Sequence, residues 1–124
     1  MRTFKDEQNM TIKHIVLLPF KPSLSKLEII SIMVSLASLQ SAIPQISSFS
    51  WGENNSPESL HQGYLHGFVM EFNNALERKI YLEHPEHIKI AKEYVLPALV
   101  DGKLPIVFDY LIEEGEKNDA TLFM

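Results

Sequence analysis

The chain has 124 residues, 45% of them hydrophobic and 22% charged, which suits one packed domain and excludes disorder as the state of the whole chain. It contains no cysteine, so disulfides, thiol nucleophiles and cysteine–metal sites are ruled out. Eleven basic residues against sixteen acidic ones give a net charge of −5, and the basic residues are scattered, which argues against nucleic acid as a partner. Met1 to Met10 is polar and mixed in charge, lacks the apolar core of a signal peptide, and is read as a loosely ordered arm. The domain is expected over residues 11–112, and 113–124, which starts acidic, as a loose tail.

Thr11 to Lys21 is rich in β-branched and aromatic residues, and it is too short for a helix. It reads as a first strand with Ile12, His14, Val16, Leu18 and Phe20 on one face. Its other face carries Ile15 and Leu17, so both sides are expected to be covered. A helix follows over roughly 24–41, with Glu28, Ser31, Ser35 and Ser38 forming one thin polar stripe. Nine of its thirteen residues from Leu27 to Leu39 are apolar, which suggests that part of its outer surface is covered too. The uncharged run Ile29 to Gly52 is interrupted by serines and by Pro44, so a membrane span is not expected.

Ile46 to Trp51 reads as a second strand and Tyr64 to Phe72 as a third, separated by a polar loop. Asn74 caps a second helix over Ala75 to Glu83, with Glu77 at the capping-box position. Pro85 breaks it after His84, and a helix restarts over 86–96 before Pro97. Leu104 to Ile112 completes the pattern as a fourth strand. The order β-α-β-β-α-β defines an α+β, ferredoxin-like fold with a four-stranded antiparallel sheet in which strands one and three are central. Helices cover one sheet face, and the apolar second face predicts a homodimer through it.

Four segments carry a resemblance: KHIVLLPFK at 13–21, IPQISSFSWGENNSPE at 43–58, GYLHGFVMEF at 63–72 with YLEHPEH at 81–87, and VFDY at 107–110. Together they resemble the stress-responsive α/β-barrel (Dabb) family. The resemblance implies a dimeric α/β barrel, in which two four-stranded sheets face each other with the helices outside. One plant enzyme of the family closes a linear polyketide without a cofactor, using a histidine and a tyrosine. The matching residues are His87 and Tyr81, and two pocket histidines of that enzyme match His14 and His66. Two pocket aromatics on the first helix are replaced here by Met33 and Leu36.

The resemblance thus implies a catalytic pair of His87 and Tyr81, with His14, His66, Met33, Leu36, Phe68 and Asp109 around a small apolar or polyketide-like ligand. Histidine titrates near neutral pH and suits general acid–base work. Tyr81 would orient it or donate to an oxyanion, and Asp109 could orient a histidine. Pro85 between Tyr81 and His87 lets both point into one space, which a continuous helix would not allow. The three readings of the histidines are buried structural groups, ligand binders and catalysts. His84 and His87 are three residues apart with Glu83 and Glu86 nearby, but Pro85 disrupts a shared face, so no metal is expected. No cofactor is expected either, and the location is read as cytoplasmic.

Overall fold

Prolines and caps set where the elements start and stop. The computed structural model describes residues 9–112, so residues 1–8 of the expected arm and all of the expected tail at 113–124 lie outside it. Strand β1 is Thr11–Leu18 rather than reaching Lys21. Pro19 has no N–H to give the ladder, and only an isolated bridge from Phe20 to Leu99 continues it. Helix α1, Lys26–Ala42, starts two residues later than its apolar pattern suggested. Ser25 is its cap: the hydroxyl accepts from Glu28 N at 3.1 Å and the Glu28 carboxylate accepts from Ser25 N at 3.3 Å.

Strand β2 is Ser48–Glu53, displaced by two residues from the expected span. Ile46 lies in the preceding turn, where its N–H bonds the Ile43 carbonyl, and its side chain is buried in the core. Strand β3, His66–Phe72, begins after a turn that uses the Tyr64 N–H on the His61 carbonyl. Helix α2, Ala75–Glu83, is capped by Asn74. Glu77 reaches back to the N–H of Asn73, at 3.2 Å, and not to that of the cap residue.

Helix α3 is only Pro85–Ile90. It widens into a π turn over Ala91–Val95 and ends as a 3-10 turn over Leu96–Ala98. Pro97 cannot donate to a carbonyl one turn back, which disfavours a regular α-helix through this segment. Strand β4, Ile106–Ile112, starts after Pro105.

The sheet order is β2-β3-β1-β4 and every pairing is antiparallel, the ferredoxin-like α+β arrangement. Ile12, His14, Val16 and Leu18 of β1 lie under the helices with Phe68, Met70 and Phe72 of β3. Met33, Leu36 and Leu39 of α1 close that core. The opposite sheet face carries no helix, and it exposes Leu17, Ile106, Phe108 and Tyr110. The α1 serines turn inward to their own helix: Ser35 bonds the Ser31 carbonyl at 3.1 Å and Ser38 the Ser35 carbonyl at 2.6 Å. Leu27 and Val34, on the same helix, are exposed. No helix is long and apolar enough to cross a membrane among the described residues.

Candidate functional site

Seven consecutive residues place the tyrosine and its histidine. Tyr81 lies in the last turn of α2 and is 1% exposed, packed on Phe72 with ring centroids 5.2 Å apart. His84, before Pro85, takes an extended conformation, φ −69° and ψ 132°, as residues preceding proline prefer. Its ring nitrogen Nδ1 accepts from Glu86 N at 3.1 Å and caps α3. This break swings His87 back over Tyr81, and their ring centroids are 4.3 Å apart at 38°.

The His87 Nδ1 lies 3.1 Å from the Leu82 carbonyl oxygen. A carbonyl only accepts, so in the neutral ring the proton sits on Nδ1 and Nε2 keeps its lone pair. Burial pushes the His87 pKa below the ordinary 6.5; the Leu82 carbonyl opposes this, while His14 and His84 add to it. The ring is therefore a neutral base at neutral pH. Tyr81 is shifted the other way. Burial, and then the Asp109 carboxylate, push its phenol well above the ordinary 10.0. It stays protonated as a donor, and its hydroxyl bonds no other side chain or carbonyl among the described residues.

His14 completes the group. It meets Tyr81 edge-on at 5.8 Å and gives its Nδ1 proton to Asp109 Oδ1 at 2.8 Å. The second oxygen, Oδ2, accepts from Arg78 Nη1 at 3.1 Å. Asp109 stands opposite His14 in the β1–β4 ladder, so sheet register delivers the carboxylate to the ring. His14 also keeps Nε2 free of the carboxylate. The arrangement therefore sets one phenol donor beside two imidazoles whose Nδ1 atoms are already engaged.

A cavity of about 210 Å³ opens beside these rings. Its apolar walls include Leu36, Phe68, Leu82, Val95 and Val107, drawn from α1, β3, α2, the π turn and β4. Of the residues implicated by sequence, His14, Leu36, Phe68, Tyr81 and His87 line it, and Asp109 supports it through His14. Met33 and His66 are not brought to it. Met33 is fully buried in the core. His66 stands opposite Leu18, four residues along β1 from His14, which is about 13 Å in an extended strand. Sequence reasoning missed Arg78 and the Leu82 carbonyl. Arg78 precedes Tyr81 by three residues, a spacing that puts both on one helix face and could have revealed it. Among the described residues no three His, Asp or Glu side chains are grouped to hold a metal ion.

The fold places the chain in the class of small ferredoxin-like α+β domains. A profile of the Stress responsive A/B Barrel Domain family, Dabb, matches residues 12–111, and the chain belongs to that family. The stress-response A/B barrel domain-containing protein HS1 of Arabidopsis thaliana is 34% identical over 86 residues, covering 69% of this chain and 79% of that protein. Olivetolic acid cyclase of Cannabis sativa is 24% identical over 85 residues, covering 68% of this chain and 84% of the cyclase. Among solved structures, the hydroxynitrile lyase of Passiflora edulis superposes with a TM-score of 0.74 at 26% identity, over 86% of this chain and 96% of the lyase. A dimeric ferredoxin-like protein of unknown function from Jannaschia sp. CCS1 has a TM-score of 0.71 at 22% identity, over 82% and 99% of the two chains, and shows the shared fold.

Proposed function

We propose that this chain forms a homodimer through its open sheet face, and that each subunit binds a small carbonyl-bearing molecule in the cavity beside Tyr81 and His87. The functional unit is residues 11–112, and the cysteine-free composition suits the reducing cytoplasm. One observation carries the binding reading: a protonated phenol and a neutral imidazole, 4.3 Å apart, face an apolar cavity instead of a filled core. An engineered cavity of about 150 Å³ holds benzene, so about 210 Å³ suits a single ring with a short substituent. Phenol to carbonyl is the one polar contact such a ligand needs. The exposed apolar strands support the dimer.

Acetophenone is a suitable probe. It should shift the ring resonances of Tyr81 and His87 saturably, and Tyr81→Phe should weaken it about five-fold through one lost hydrogen bond. Failure of acetophenone and similar single-ring ketones to bind would leave a purely structural dimerisation module.

The opposed shifts of the two groups favour a second reading, a cofactor-free lyase or cyclase. His87 Nε2 would take a proton from a hydroxyl or from carbon beside a carbonyl. Tyr81 would donate a hydrogen bond to the oxygen that gains charge. Deuterium exchange into the acetophenone methyl group in heavy water tests this. Exchange with the native protein and none with His87→Ala supports the reading, and equal exchange with both refutes it.

A further inference from the structure

His66 has chemistry that the cavity of Tyr81 and His87 does not use. It stands directly opposite Glu53 in the β2–β3 ladder, so both side chains lie on the sheet face beneath α1. Lys26, the first residue of α1, approaches from above. These three side chains rim a second cavity, of about 490 Å³, whose apolar wall is Ile29, Ile30 and Trp51. None of the three forms a hydrogen bond or ion pair with another described residue. The His66 ring meets Phe20 edge-on at 5.5 Å, a contact that leaves its nitrogens unused.

We propose that this cavity is a second small-molecule site, separate from the first, for a flat aromatic carboxylate bearing a hydroxyl. An indole 39% exposed beside two half-buried isoleucines offers a flat apolar surface for a ring. Lys26 offers a cation at one side of the pocket and Glu53 a carboxylate at the other, with His66 opposite Glu53 in the ladder as a further polar partner, so the pocket suits a ligand with an acid at one end and a hydrogen-bond donor at the other. Lys26 sits on the helix and Glu53 on the sheet. A bound acid therefore turns its carboxylate toward α1 and a ring hydroxyl toward Glu53, which keeps the two like charges apart.

Trp51 is the single tryptophan of the chain, so its indole N–H gives one nuclear magnetic resonance signal that reports on this cavity alone. The probe is 4-hydroxybenzoate. It should shift that signal saturably at millimolar concentration. Its uncharged counterpart, 4-hydroxybenzyl alcohol, should bind about five-fold more weakly, as expected for one exposed ion pair. Lys26→Met should bring the acid to the level of the alcohol, and Lys26 is exposed, so the variant should fold. His87→Ala should leave the titration unchanged. No saturable shift, equal affinity for acid and alcohol, an unaltered Lys26→Met titration, or a loss caused by His87→Ala would each overturn the proposal.

Discussion

Asp109→Asn isolates the linkage that holds His14 in place. In the native chain one carboxylate accepts from His14 at 2.8 Å and from Arg78 at 3.1 Å. The His14 side chain is 5% exposed, whereas those of Asp109 and Arg78 are 22% and 31% exposed. A hydrogen bond to a charged group contributes about 1.5–3 kcal/mol, and a neutral one about 1 kcal/mol. The solvated Arg78 pair is discounted to about 0.5–1 kcal/mol. After the substitution the new amide oxygen can still accept from His14, but the amide NH2 then faces the guanidinium, two donors together. The change loses the charge assistance at His14, about 1 kcal/mol, and the Arg78 pair, for about 2 kcal/mol in all. Arg78→Met, by contrast, should cost only about 0.5–1 kcal/mol. Urea unfolding at one fixed protomer concentration reads both, since a dimer's stability depends on concentration. A cost below about 0.5 kcal/mol for Asp109→Asn, or equal costs for the two variants, would refute the claim that the carboxylate chiefly serves His14.

Three further outcomes follow from the geometry. Light scattering should give twice the 14.2 kDa subunit mass, and Phe108→Lys, on the open sheet face, should yield monomers or aggregates; a native mass of one subunit would contradict the dimer. His87 is depressed by burial, so the unfolded chain binds the proton more readily and stability falls as pH drops from about 6.5 toward the lower folded value. His87→Gln should flatten that acid limb in pH-dependent unfolding, and an unchanged limb would show that other groups cause it. Ser25→Ala should cost about 1 kcal/mol by removing the hydroxyl that accepts from Glu28 N, while the backbone N–H at position 25 still reaches the Glu28 carboxylate, and a neutral effect in thermal unfolding would mean water replaces the cap.

The element order was legible because alternation, caps and proline breaks are all local. Ends were less so: Pro19 and Pro105 lie inside runs that still look like strands, and only the missing N–H in a paired ladder shortens them. The Tyr81–His87 contact could be anticipated because Pro85 lies within the same short segment. His66 could not be placed by such means. Adjacent strands put His14 and His66 on one face, but the register that separates them by four residues depends on the whole sheet. The same register brings Asp109 opposite His14, across 95 positions of chain. Leu82 contributes a backbone carbonyl, which no side-chain pattern records.

The Tyr81–His87 pair is set by one short stretch of backbone, while much of the cavity wall comes from elsewhere, from β1, α1, β3, the π turn and β4. That division has an evolutionary consequence. Leu36, Val95 or Val107 can change size without moving the phenol or the imidazole, because none of them takes part in the His84 cap or the Leu82 hydrogen bond. Descendants can therefore explore new ligands by single steps at the walls while inheriting the donor and acceptor intact. The reverse path is closed: an insertion between Tyr81 and His87 would rotate one ring away from the other and erase the pair in a single event. Divergence within such a lineage should accumulate around the cavity and spare the segment from Tyr81 to His87.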